Sequence, residues 1–185
     1  TPMNSSAASD VYKRQLLENY QNTLLLKPSE GTLACDEIGV GKIVSNDLIE
    51  LALDFIISQN KKPFYKDLLN KFFLITGGCT SEKIDAARNV TNSSSGTMGL
   101  LLAQVARFRG AKVKYIHGPL KTKLDINEGI DREEIETSAD LLKAIQKEIS
   151  NCDYFIMNAA VSDFKISGDT KKKIPKNKLE NSLNK

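Results

Sequence analysis

Three short apolar runs alternate with two amphipathic stretches, and this order limits the fold more than any other feature of the chain. Phe72-Phe73-Leu74-Ile75-Thr76 is continuous and is stopped by Gly77-Gly78. Such a run has no polar side to turn to water, which suits a strand covered on both faces in a parallel sheet. Residues 98–109 carry Leu101, Leu102, Val105 and Phe108 at helical spacing, and Gly110 is placed to end that helix. Residues 113–116 give a second strand. Thr137-Ser138-Ala139-Asp140 has the form of a capping box and leads a helix with Leu141, Leu142, Ile145 and Ile149. Residues 153–157 give the third strand. Strand, helix, strand, helix, strand predicts an α/β unit, a Rossmann-like doubly wound parallel sheet. Ligands bind such sheets outside the carboxyl ends of the strands. That places Gly77-Gly78, His117-Gly118-Pro119 and Asn158-Ala159-Ala160 on one rim.

Upstream, Pro28-Ser29-Glu30-Gly31 reads as a turn, because proline presets φ and glycine accepts positive φ. Residues 31–42, with Gly31, Gly39 and Gly41, read as a loop. The loop is not a phosphate-binding P-loop, since Lys42 is followed by Ile43 and the glycine spacing fails. A helix is predicted next, capped by Ser45 or Asn46, with Asp47 in its positive first turn. Leu48, Ile49, Ala52, Phe55 and Ile56 form its apolar face, and it ends near Gln59. Residues 59–70, rich in lysine and holding Pro63, read as a linker between an upstream unit (1–58) and a downstream unit (71–185).

The charge balance, 26 Lys plus Arg against 23 Asp plus Glu, leaves +3, too mild to argue for nucleic acid. The longest apolar patch, residues 100–106, is interrupted by Gln104 and falls far short of the ~18–20 residues of a membrane span. Neither a nucleic-acid nor a membrane partner is expected. The N-terminus is polar without a signal-peptide core, and Thr1 in place of Met suggests that the natural start lies upstream. Cys35, Cys79 and Cys152 are widely spaced and lack a C-x-x-C pair. Reduced thiols in the cytoplasm are the simplest expectation. His117 is the single histidine, so any Ser-His-Asp or Cys-His mechanism would need it, and a solvated or core-edge role is expected instead.

Residues 79–96 read as a long polar loop after the first strand, and two segments there and beside it could carry chemistry. Thr91-Asn92-Ser93-Ser94-Ser95-Gly96 precedes a helix, where free amides, the helix dipole and serine hydroxyls suit a phosphate. An ordinary serine-rich helix cap is an equal reading. Gly77-Gly78-Cys79-Thr80 follows a strand but lacks the G-x-G-x-x-G dinucleotide fingerprint. Asp153-Tyr154-Phe155-Ile156-Met157-Asn158-Ala159-Ala160 resembles the Asn-Ala region of short-chain dehydrogenases. None of Tyr12, Tyr20, Tyr65, Tyr115 and Tyr154 has a lysine four residues on, which opposes an NAD(P)-dependent short-chain reductase. A non-catalytic nucleotide-binding α/β module is the other alternative. The lysine-rich tail from Lys165 reads as solvated, with one or two lysines able to reach a phosphate.

Taken in order, five segments resemble one family. Thr76-Gly77-Gly78-Cys79-Thr80-Ser81-Glu82-Lys83-Ile84-Asp85 is similar to the T-A-G-G-T-x-E-x-I-D opening of phosphopantothenate–cysteine ligases. Arg88-Asn89-Val90-Thr91-Asn92-Ser93-Ser94-Ser95-Gly96-Thr97-Met98-Gly99 resembles R-x-I-T-N-x-S-S-G-K-M-G. His117-Gly118-Pro119 resembles S-G-P, Ala159-Ala160-Val161-Ser162-Asp163-Phe164 resembles A-A-V-A-D-[WY], and Lys173-Ile174-Pro175-Lys176 resembles K-I-K-K. Upstream, Gly31-Thr32-Leu33-Ala34-Cys35-Asp36 resembles the G-x-x-A-C-G-D loop of flavin-dependent phosphopantothenoylcysteine decarboxylases. Gly39-Val40-Gly41-Lys42-Ile43 resembles the following G-x-G-R-M, and Met3-Asn4 resembles the end of P-x-M-N. The whole is similar to a fragment of the bifunctional coenzyme A biosynthesis flavoproteins. Residues 5–15 do not follow the family, and Cys79, Thr97 and Pro175 replace its glycine, lysine and lysine.

The resemblance implies a C-terminal remnant of a flavoprotein α/β domain, then the first part of a ligase domain. It implies ligation of 4′-phosphopantothenate to cysteine with CTP and Mg²⁺, through an acyl-cytidylate. Asn92 would hold that intermediate and Lys173 would help to form it. Met157, Asn158, Ala159, Asp163 and Lys173 would bind the nucleotide, with Ser94, Ser95 and Gly96 as the phosphate loop. In the upstream half, FMN would oxidise the thiol-bearing substrate, Cys35 would protonate the product, and Asn4 would bind substrate. A homo-oligomer is implied for the full-length protein. The chain as given is expected to be inactive or nearly so.

Overall fold

The computed structural model describes residues 12–13, 15–17, 20, 23–26, 28–32, 38–59, 66–164 and 172–175. Asn4 and Cys35 therefore lie outside the described residues. The first elements are β1 (Ser29–Thr32) and β2 (Ile38–Lys42), an antiparallel pair. This corrects the reading of 28–31 as a turn and 31–42 as a loop. Gly31 lies opposite Gly39, and Thr32 opposite Ile38. Glycines weaken a strand without forbidding it, and β-branched Thr32 and Ile38 favour extension.

Helix α1 (Asn46–Ser58) begins where the sequence places it: the Ser45 hydroxyl accepts from the Leu48 amide at 3.2 Å. Its apolar face does not pack on the upstream hairpin alone. Val44, Leu48 and Ala52 share one core with Ile75, Leu100, Phe108 and Tyr115 of the downstream unit, and the Phe55 and Phe108 rings lie 5.6 Å apart. The Asp125 amide donates to the Asp47 carboxylate at 2.7 Å and the Ser45 amide donates to Glu128 at 3.2 Å, fixing the start of the helix on the loop after the second parallel strand.

The main sheet comprises β3 (Phe72–Gly77), β6 (Lys112–His117), β7 (Asp131–Glu134) and β8 (Tyr154–Ile156). Their order is β7-β6-β3-β8, all parallel. The chain thus builds outward from β3 on one side and then returns to its other side. Helices α2 (Thr97–Phe108) and α3 (Ser138–Glu148) join the strands. Neighbouring residues of β3 serve opposite faces. Ile75 enters the core with α1 and α2, whereas Leu74 packs with Ile116, Ile135, Leu141 and Ala144 on the α3 side. Leu74, Ile75, Leu100, Ile116 and Leu141 are sealed from solvent, each worth about 1.5–3 kcal/mol of apolar burial.

The end of α2 closes as the sequence predicts. Gly110 adopts φ 92, its amide donates to the Arg107 carbonyl, and the Ala111 amide donates to the Ala106 carbonyl, a two-bond stop that needs a left-handed residue. Residues 66–70 of the expected linker dock here: the Leu68 amide donates to the Arg109 carbonyl at 3.0 Å, and Arg109 grips Asp67 with two guanidinium nitrogens.

The polar stretch 79–96 is not a plain loop. It contains β4 (Ser81–Asp85) and β5 (Arg88–Thr91), an antiparallel hairpin with Asp85 opposite Arg88. The polar composition concealed it, because Ser81, Glu82 and Asp85 are buried through hydrogen bonds rather than apolar contact. β7 was also missed; its Asp-Arg-Glu-Glu sequence offers no apolar signal.

Candidate functional site

The carboxyl ends of β3, β6 and β8 meet in one rim, as the strand order requires. The turn after β3 and the segment after β8 are zipped together. The Ala160 amide donates to the Gly78 carbonyl (2.9 Å), the Thr80 amide to the Ala160 carbonyl (3.1 Å), and the Ser162 amide to the Thr80 hydroxyl (2.9 Å). The buried Thr76 hydroxyl accepts from the amides of Asn158 (3.0 Å) and Ala159 (3.1 Å) and lies 3.2 Å from the Met157 sulfur. One strand-end threonine thus sets the path of residues 157–159. Thr76 and Thr80 were not singled out from the sequence; a threonine ending a buried apolar strand was the available signal.

Glycines let the backbones approach. A Cβ on Gly118 would lie 1.7 Å from the Cys79 carbonyl oxygen, and one on Gly77 would lie 2.1 Å from the Tyr115 hydroxyl. Gly96 is the N-cap of α2 at φ 79, a conformation glycine alone enters freely, and it touches the backbone of Gly78. Gly99 presses the first turn of α2 onto Thr76 and Gly77. The Tyr115 hydroxyl sits among them, donating to the Gly96 carbonyl at 3.2 Å; burial pushes its phenol up to about 12.

The start of α2 is capped only in part, by the serine that precedes its N-cap glycine. Gly96 has no side chain to offer, and the first turn holds no acidic residue. The Ser95 hydroxyl accepts from the Thr97 amide at 3.3 Å and lies 2.9 Å from the Thr97 hydroxyl. Ser94 is half-buried and Ser95 exposed.

Asn92 is exposed, and its amide nitrogen donates to the Val161 carbonyl at 3.0 Å. Two segments 69 residues apart in sequence are thereby tied, with Asn92 beside the strip 157–163. Thr91 supports it by donating to the Thr80 carbonyl at 2.9 Å. Asp163 and Met157 are exposed. Among the described residues no hydrogen bond joins Lys173 to Asn92. Lys173 is exposed, and its neighbour Ile174 is bound to Asp85 and Arg88 at the hairpin turn.

His117 is a core-edge residue and not a solvated one. It is buried, its ring stacks on Tyr115 at 5.1 Å, and its Nδ1 lies 2.8 Å from the Gly118 carbonyl. Burial holds its pKa below the usual histidine value. Among the described residues no group of three or more His, Cys, Asp or Glu side chains could hold a metal ion. Asp163 is an exposed carboxylate on the strip beside Asn92. No helix among the described residues is long and apolar enough to cross a membrane.

Residues 68–184 match the family described as DNA/pantothenate metabolism flavoprotein C-terminal domain. Two similar relatives are both called coenzyme A biosynthesis bifunctional protein CoaBC. The one from Vibrio vulnificus is 34% identical over 149 residues, covering 80% of this chain and 35% of the relative. The one from Bacillus subtilis is 35% identical over 155 residues, covering 82% of this chain and 37% of the relative. The chain thus spans little more than a third of the length of these curated relatives. A crystal structure of the C-terminal domain of a CoaBC protein superimposes with a TM-score of 0.52 at 31% identity, covering 65% of this chain and 62% of that one.

Proposed function

Because the chain belongs to the DNA/pantothenate metabolism flavoprotein C-terminal domain family, we propose that its rim is part of a phosphopantothenate–cysteine ligase site in coenzyme A biosynthesis. In this reading residues 71–185 are the first part of a Rossmann-like ligase domain. Residues 1–58 are the remnant of an FMN-dependent decarboxylase domain, 59–70 join the two, and α1 is packed on the ligase core. Asn4 and Cys35 would serve the flavin half as substrate-binding residue and proton donor. The full-length protein would be a cytoplasmic homo-oligomer.

The observation that carries the ligase reading is the bond from Asn92 to the Val161 carbonyl, which joins two of the family-like motifs at one rim. The α-phosphate of CTP would be attacked by the carboxylate of 4′-phosphopantothenate, giving an acyl-cytidylate and pyrophosphate. The amine of cysteine would then displace CMP. Negative charge grows on the phosphates in the first step, so donors already in place lower its barrier. The first turn of α2 has no acidic residue and its N-cap Gly96 no side chain, which supports anion binding at its positive end with Ser94, Ser95 and Gly96. Met157, Asn158, Ala159 and Asp163 would bind the nucleotide, and Asn92 would hold the acyl-cytidylate. Lys173 would bind the nucleotide and help to form the acyl-cytidylate. Magnesium, when bound, would neutralise phosphate oxygens, and Asp163 could share it.

The test is pyrophosphate release from CTP by the gene extended to its natural ends, with and without 4′-phosphopantothenate. Release that depends on phosphopantothenate, reduced about a hundredfold or more in Asn92→Ala, is the expected outcome. A folded protein that binds CTP and releases none would be a non-catalytic nucleotide-binding module.

A further inference from the structure

The hairpin turn between β4 and β5 does more than reverse the chain. Asp85 and Arg88 face each other across it, joined by the Arg88 Nε at 3.0 Å and by its Nη2. The Ala87 amide also donates to Asp85, at 2.8 Å, so the carboxylate closes its own turn. Asp85 is fully buried although no apolar contact demands it. The remaining partner is distant in sequence. The Ile174 amide donates to Asp85 at 3.0 Å, and the Ile174 carbonyl accepts from Arg88 Nη2 at 2.8 Å. Both backbone groups of one residue are thus held by one ion pair. Pro175 follows and disfavours helical geometry at Ile174, which suits such an extended grip. Lys173 precedes it and is exposed.

We propose that Asp85 and Arg88 are positioning residues: their ion pair clips the backbone of Ile174 and so presents Lys173 to the site whose base carries Asn92. The aim of the clip rests on the ligase reading above, whereas the clip itself does not. β5 links the two, with Arg88 at the turn and Asn92 just past its end. One short hairpin thereby sets both side chains, which explains why the ordered motifs run up to an aspartate and resume at an arginine. Hydrogen bonds to charged groups are the stronger kind, so loss of one is measurable.

The experiment uses the full-length protein and two variants. Asp85→Asn neutralises the clip while keeping its shape. Ile174→Pro removes the donated amide from the other side of the clip; because it also restricts Lys173 and replaces the half-buried side chain, Ile174→Val is the side-chain control. Amide exchange at residues 172–174 is expected to quicken about tenfold in Asp85→Asn, and unchanged exchange would overturn the clip whatever the activity. In pyrophosphate release, both variants should lower kcat about tenfold with the KM for CTP within about twofold. Adding Lys173→Ala to either should cost no more than Lys173→Ala alone. Additive losses, or a change confined to KM, would show that the clip does not act through Lys173. If the unmodified protein releases no pyrophosphate, the ligase reading fails while the exchange result still decides the clip.

Discussion

Helices α2 and α3 cover opposite faces of the same sheet, yet they start in different ways. α3 is closed by side chains. Thr137 and Asp140 cap each other's amides, and the Glu82 carboxylate takes the Ser138 amide at 2.7 Å. α2 starts at a glycine that offers no side chain, has no acid in its first turn and takes only the Ser95 hydroxyl on its first amide; glycine backbones press together there at Gly78, Gly96 and Gly118. A helix that serves only the core satisfies its own first amides. One with fewer side-chain partners at the carboxyl rim of a parallel sheet suits the anion site proposed there.

The largest test of this contrast is steric. Gly118→Ala should destabilise the protein by about 3 kcal/mol, because the new methyl would meet the Cys79 carbonyl at 1.7 Å and backbone cannot swing aside as a side chain can. Chemical denaturation measures it, and a loss near zero would mean that the glycine contact is incidental. Thr137→Ala, at the capped helix, should cost only about 1 kcal/mol by the same measurement, the usual worth of a lost cap.

Acid separates the two ends more finely. Burial lowers the pKa of His117 at the glycine-built rim, so the unfolded chain takes up that proton first, and stability falls as pH drops below about 6.5. Arg132 opposes the charged form and Glu134 favours it. The bond from Thr137 lowers the pKa of Asp140, so its stabilisation is present above the ordinary aspartate value and is lost as pH falls below about 4. Denaturation midpoints across pH should therefore show an upper step that vanishes in His117→Gln. The lower step should diminish in Thr137→Ala. A single shared step would contradict the assignment.

Much of this architecture was legible in the sequence. Three of the four strands of the main sheet, the capping box, the Ser45 cap and the Gly110 stop each leave a local mark, either an unbroken apolar run or a residue whose chemistry fits one position. What stayed hidden was held by polar contacts at long range. β4 and β5 read as loop because buried Asp85 and half-buried Arg88 bind each other and Ile174, 86 to 89 residues away. The β1–β2 pair read as loop because its glycines weaken every strand signal. Of the rim residues, Asn92 and the strip 157–163 came from motif resemblance. Thr76 and Thr80, which fix that strip in space, stand in the first family-like segment, but their bonds to the strip join residues 82 to 83 apart and leave no local mark.

The central claim is that the start of α2 receives an anion, and one substitution tests it directly. Met98 is exposed and occupies the place in α2 that Asp47 holds in α1, the second helical residue. Met98→Asp supplies the missing acid. The full-length variant should be as stable as the parent or more so, by about 0.5 kcal/mol, since an acid suits a helix start. Its affinity for CTP, measured by calorimetric titration, should nevertheless fall about tenfold or more, since the new charge opposes the phosphates. Stability kept with affinity lost is the predicted result; unchanged CTP affinity in a folded Met98→Asp protein would contradict the account.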